Sequence, residues 1–194
     1  MARVKLQSER VVVERCRELR QELQDALSRL PGGADDPDIV DAVWHGEALG
    51  TLLWALQLAE LPPYDRPFDS AAVAGVDLAD GKLREPEDVD LERESARLWH
   101  WRARTTEVRT AGPVELPSHY TSVDQLIAAT ANRGYEDGLL PPPARGDFRA
   151  YGRSYRHLTP AEQAEAHSLA AERHHALVWL TSPRAAWDEA ALDT

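Results

Sequence analysis

From Ala48 to Ala59 the chain reads "ALGTLLWALQLA", apolar almost all the way round a helix. A helix without a polar face must be enclosed by other elements. The run therefore predicts a central helix with partners on most sides. Gly50, Thr51 and Gln57 interrupt it, and it falls short of the roughly 20 residues that cross a bilayer. No membrane partner is expected.

The partners are legible as helices too. Val12, Cys16, Leu19, Leu23, Ala26 and Leu30 alternate spacings of four and three, one apolar stripe of a helix from Ser8 to Leu30. After the break "PGGADDP", Asp36 reads as an N-cap with Pro37 at the first helical position. This second helix is expected to reach Leu61, where a double proline stops it. Gly46 and Gly50 leave a smooth patch on it where another backbone could approach. A connector, "LPPYDRPFDSAAVAGVDLADGKL", contains a short helical turn after Asp69. A third long helix is expected from Pro86 to Thr110, with Leu91, Ser95, Leu98, Arg102 and Thr105 along one side and Trp99 beside them. Ser122 and Gln125 have capping-box spacing and open a helix from Val123 to Arg133, ended by Gly134. Thr159, Pro160 and Glu162 are the clearest helix start, for a helix reaching Leu180. The tail is expected to dock through Trp187.

No stretch of four residues alternates as a strand does, and no internal repeat is present. The fold class expected is all-α: one domain over 1–194, a bundle of about five or six helices with two long ordered connectors. Residues 1–35 supply an N-terminal helix and turn. The length, 194 residues, allows a sizeable core without staples.

Within the central helix sits an oddity. Glu47 shares a helical sector with Trp44 and Trp54. A buried lone carboxylate costs several kcal/mol, so it must be protonated, paired or metal-bound. Arg173 shows the mirror image on a stripe with Ala166, Leu169, Leu177 and Leu180, and so does Arg102 beside Leu91 and Leu98. An internal ion pair between helices is the plainest reading. The alternative is a polar pocket walled by Trp44, Trp54 and Trp99 and floored by Glu47 with Arg102 or Arg173, His174 lying nearby.

Other chemistry finds little support. Glu172 and His175 have Glu-x-x-His spacing, but di-metal bundles carry that motif twice, and His167 and His174 stand two turns apart. No metal or cofactor is expected. Cys16 has no histidine at readable spacing, and no Gly-x-Ser-x-Gly elbow or phosphate-cradling loop occurs, so no catalytic residue is assigned. A single cysteine fits a reducing, cytoplasmic setting. Acidic residues outnumber basic ones 33 to 22, a net charge of −11. That field repels polyanions, and no DNA is expected. "ARGDFRAYGRSYRH" does interleave arginines with aromatics, which leaves anion or RNA contact at Arg149, Tyr151, Arg153 and Tyr155 as an alternative. The plainer reading has its aromatics filling a gap in the core while its arginines pair with acids.

Three stretches, "WHGEALGTLLWALQLAELPPYDRP", "RLWHWRARTTEVR" and "YRHLTPAEQAEAHSLAAERHHALVWL…WDEAALDT", resemble the bacterial domain-of-unknown-function 4272 family. The shared pattern is a glutamate inside a Trp-rich helix, then Leu-Pro-Pro, a Glu-Arg-His helix and a terminal Trp-Asp…Asp-Thr. It covers the chain from about residue 40 onward. Val178 stands where the pattern has asparagine, and "AALDT" replaces a more polar ending. The resemblance implies a single soluble domain and a pairing of Glu47 with Arg173, and it brings no activity. The function expected is a non-enzymatic protein-interaction or accessory module of the immunity type. The alternative is a small-ligand binder or enzyme with a Trp-lined pocket around Glu47 and Arg173.

Overall fold

The computed structural model describes residues 4–29, 37–112 and 116–192. Asp36, Leu30 and the terminal Asp-Thr lie outside the described residues. Among the described residues six α-helices form the fold: α1 (Glu9–Arg29), α2 (Pro37–Ala55), the short α3 (Ser70–Ala74), α4 (Pro86–Ala111), α5 (Val123–Glu136) and α6 (Pro160–Leu180). A hairpin of two-residue strands, β1 (Arg149–Ala150) and β2 (Arg153–Ser154), is the only sheet among the described residues. The all-α class stands.

α2 packs on α1 and on α6, and α6 packs on α4, so four long helices stand in the order α1, α2, α6, α4. Ala48, Leu49, Leu52, Leu53, Ala55 and Leu56 are fully buried, as an all-round apolar helix requires. The α1 stripe from Val12 to Ala26 is buried against it. The start of α6 is the expected capping box: the Thr159 hydroxyl accepts from the Glu162 N–H, and Glu162 accepts from the Thr159 N–H at 2.7 Å. Behind α6, Trp187 packs edge-on against Trp179 and His175 under the Arg15 guanidinium, which docks the tail.

Two helix ends differ from expectation. α2 stops at Ala55, well before the double proline. Leu58 N–H donates to Leu53 O and Gln57 N–H to Trp54 O, with Gln57 in the left-handed region at φ 61°. That is a Schellman cap. The connector then returns, and Lys82 and Arg84 N–H groups satisfy the last carbonyls, those of Leu56 and Ala55. α5 runs past Gly134 to Glu136, because the residue that reverses the chain is Gly138, at φ 75°.

The buried side of α4 also differs. Leu91 is 57% exposed, and the core stripe is Val89, Ala96, Trp99 and Ala103, flanked by Ser95, His100 and Arg102. Alanine and histidine carry much of this stripe, so a pattern built on large apolar residues misplaces it.

The two glycines of α2 meet side chains rather than another backbone. A Cβ on Gly50 would lie 2.4 Å from the Phe68 ring, whereas one on Gly46 would meet Ser70 Oγ at 3.4 Å and Leu23 at 3.5 Å, ordinary contacts. Gly50→Ala should therefore destabilise by about 1–2 kcal/mol, overpacking outweighing helix propensity, while Gly46→Ala should be neutral or stabilising by up to about 1 kcal/mol. Urea unfolding of the two variants reads the contrast. Equal effects would show that Phe68 does not seat on Gly50.

Candidate functional site

Glu47 and Arg173 meet. Glu47 comes from the middle of α2 and Arg173 from the middle of α6, and they are 3% and 0% exposed. Arg173 Nε and Nη2 both lie 2.9 Å from Glu47 Oε2. Nη1 donates to Pro62 O at 2.8 Å and Pro63 O at 3.2 Å, and Nη2 donates also to Arg66 O at 2.7 Å. All three guanidinium nitrogens are engaged, by four hydrogen bonds and the close Nη2–Glu47 ion-pair contact. The other Glu47 oxygen accepts from the Phe68 N–H at 2.6 Å. Burial pushes the Glu47 carboxyl above its ordinary value, while Arg173 and the Phe68 amide pull it back.

The pair therefore organises the irregular segment 62–68. Its aromatics close over the guanidinium: the Tyr64 ring lies 5.0 Å and the Phe68 ring 5.2 Å from Arg173 Cζ. The column continues, with Tyr64 stacked on Trp99 at 5.5 Å and Trp99 edge-on to Phe148 at 5.3 Å.

Arg102 does not join it. Its Nε and Nη2 grip Asp147 at 2.7 and 2.9 Å as a two-pronged fork. Asp147, with no exposure, also accepts from the Phe148 and Arg156 amides and the Ser154 hydroxyl. Burial pushes Asp147 up, but the Arg102 fork and these amides outweigh it and hold the carboxyl below the usual range. Sequence reading missed this acid. It sits in "ARGDFRAYGR", where two tight reversals, at Arg145–Gly146 and Tyr151–Gly152, have both central residues at positive φ. Such two-residue turns belong to hairpins, and the glycine spacing was the available signal.

The three tryptophans do not wall one pocket. Trp54 lies under the Arg84 guanidinium at 4.8 Å. Trp44 faces a cleft of about 460 Å³ shared with His45, His167 and Glu172. Trp99 faces another of about 460 Å³, between segment 61–65, α4 and the hairpin. Its polar groups are Tyr64, Asp65, Glu92, Ser95 and Arg149, set among Leu61, Pro62, Pro63, Leu139 and Pro141. Tyr64 donates to Glu92 Oε1 at 2.8 Å. Burial raises the Glu92 carboxyl against the pull of that hydroxyl and of Arg173.

The aromatics of the hairpin segment face inward. Tyr155 is buried with the Arg102 guanidinium 4.4 Å from its ring, and Tyr151 donates to Glu165 at 2.9 Å. Arg153 pairs with Glu162. Arg149 is exposed, and among the described residues it makes no hydrogen bond or ion pair.

His174 is buried and belongs to a row that sequence reading left incomplete. His100 of α4 sits between His167 and His174, with ring centroids 5.6 and 5.5 Å away. Its Nδ1 lies 3.2 Å from His174 Nδ1, a hydrogen-bond distance in which one nitrogen donates and the other accepts. His167 reaches Glu107 at 2.7 Å. His175 turns away, Nε2 donating to Trp187 O at 3.1 Å, while Glu172 lines the Trp44 cleft, so that pair does not converge. Among the described residues no group of three His, Cys, Asp or Glu is arranged to hold a metal ion, and no helix is long and apolar enough to cross a membrane. Comparison with protein-family models, curated proteins and solved structures finds no match to this chain.

Removing one partner of the central pair leaves a buried charge alone. Glu47→Ala should cost about 3–5 kcal/mol, measured by urea unfolding at neutral pH. A cost under about 0.5 kcal/mol, typical of surface changes, would remove the pair from its central place.

The histidine row sets an acid limit. Burial first, then His174, His167 and Arg104, lower the His100 pKa from 6.5 to about 4. As pH falls the unfolded chain takes the proton first, so this stability is complete above about pH 6.5 and is lost towards pH 4, at up to about 1.4 kcal/mol per pH unit. His100→Gln should flatten the fall of stability between pH 7 and 5. An unchanged slope in the variant would place the loss elsewhere.

Proposed function

We propose that this protein is a non-enzymatic binding module whose ligand enters the cleft between segment 61–65, α4 and the β1–β2 hairpin. The observation that carries the reading is Arg173. It spends three of its contacts on the carbonyls of Pro62, Pro63 and Arg66, which makes one wall of the cleft rigid before any ligand arrives. Small-molecule sites are mostly apolar clefts of about 300–1,000 Å³ with a few placed polar groups. The cleft matches that description. A cytosolic setting is part of the proposal, suited to a single cysteine that is fully buried. Membership of the domain-of-unknown-function 4272 family is proposed on the Trp-rich helix, the Leu-Pro-Pro and the Glu-Arg-His helix that build this wall.

A second reading draws on the net charge of −11. An acidic surface speeds encounter with a basic protein and fixes its orientation, as an accessory or immunity-type partner would require. Capture of a stoichiometric basic protein whose association slows as salt rises supports it. A salt-independent association would not.

The first reading is tested by titrating a library of small metabolites against isotope-labelled protein. Ligands are expected to shift the Trp99 indole and residues 61–65 together. Shifts confined to the Trp44 cleft, or none at all, would overturn it.

A further inference from the structure

We propose that the cleft takes a small zwitterion with an apolar body, the chemistry of a free apolar amino acid. Arg149 receives its carboxylate, and Glu92 with Asp65 receives its ammonium. The assignment rests on the ligand-binding reading above and adds the class of ligand.

Charge of both signs lines this one cleft without pairing. Arg149 makes no ion pair with Asp65, Glu92 or any other described residue, although all three line the same cleft. Opposite charges that line one cleft without pairing match a ligand that carries both. Each group is also held. Arg149 projects from a strand whose next residue, Ala150, is fully buried, and the turn beyond it is tied down where Tyr151 N–H donates to Asp65 Oδ2 at 2.5 Å. That bond links the acid-bearing wall to the base-bearing wall directly. Glu92 Oε1 is taken by the Tyr64 hydroxyl, and among the described residues Oε2 has no partner.

The chemistry of each group fits its assigned end. A guanidinium fork binds a carboxylate through two parallel hydrogen bonds. A carboxylate oxygen accepts from an ammonium, and such a ligand favours the ionised form of Glu92 that burial alone disfavours. Leu61, Leu139 and Pro141 offer the apolar surface for a side chain. Ser95 lines the same cleft, its hydroxyl donating to Leu139 O at 2.8 Å.

Calorimetry with L-leucine and L-phenylalanine, each beside its two halves, decides the matter. The halves are 4-methylpentanoate and 3-phenylpropionate without the amine, isoamylamine and phenethylamine without the carboxylate. One zwitterion at least should bind about tenfold tighter than either half, a difference of about 1.4 kcal/mol. Arg149→Gln should abolish its advantage over the amine, and Glu92→Gln its advantage over the acid. Arg149 is exposed and Gln is isosteric with Glu, so neither change threatens the fold. A half that binds as tightly as the parent, or an Arg149→Gln variant with unchanged affinity, overturns the assignment. If metabolites from the library occupy the cleft while no zwitterion does, the ligand class falls and the binding reading survives. If nothing occupies the cleft, both fall.

Discussion

A fully buried guanidinium with every nitrogen engaged is the interaction on which this structure turns. Arg173 lies between α2 and α6, and burial of its charge is tolerable because Glu47 supplies the countercharge and three backbone carbonyls supply the remaining acceptors. Lysine could not replace it, since a single ammonium with three donors cannot reach a carboxylate and three separate carbonyls at once. The arrangement also settles a backbone problem. A chain running through Pro62, Pro63 and Pro67 makes a turn bond of its own from Arg66 N–H to Pro63 O, but its remaining buried carbonyls need donors from elsewhere. Here a side chain from a distant helix provides them.

The same logic appears a second time with the signs of the irregular partner reversed. Arg102 of α4 grips Asp147, and Asp147 in turn accepts from the amides of Phe148 and Arg156. One connector is gathered through its carbonyls by an arginine, the other through its amides by an aspartate. In this way both irregular stretches are held against the helices. The aromatic column from Phe68 through Tyr64 and Trp99 to Phe148 joins these two polar centres. The Trp99 cleft lies where the two connectors face each other, so its walls inherit the rigidity of both ion pairs. A preformed cleft loses little ordering entropy on binding, and this ties the buried charges to the proposed function.

The histidine row between α4 and α6 belongs to a different balance. His100 packs there among alanines, and burial keeps it uncharged where solvent would protonate it. The price is tolerance of acid.

Helical content, the central place of α2, the α1 stripe and the capped start of α6 were all legible in the sequence, because they rest on spacings of three and four and on local caps. The charges that had to be paired were legible as well, since Glu47 and Arg173 sit on apolar stripes. Their geometry was not. Which acid meets Arg102 depends on Asp147, placed by two tight turns in a segment that has no periodicity. Where α2 ends depends on residues 82–84 returning to its carbonyls, and the true face of α4 on alanines whose burial only neighbouring helices reveal. The separation of the three tryptophans into different surroundings likewise followed from loops that cover Trp54 and leave Trp99 beside a cleft. Local pattern determined which elements form and which groups need partners. Tertiary structure alone chose the partners, because a hydrogen bond between residues more than 100 positions apart leaves no trace in the spacing of either.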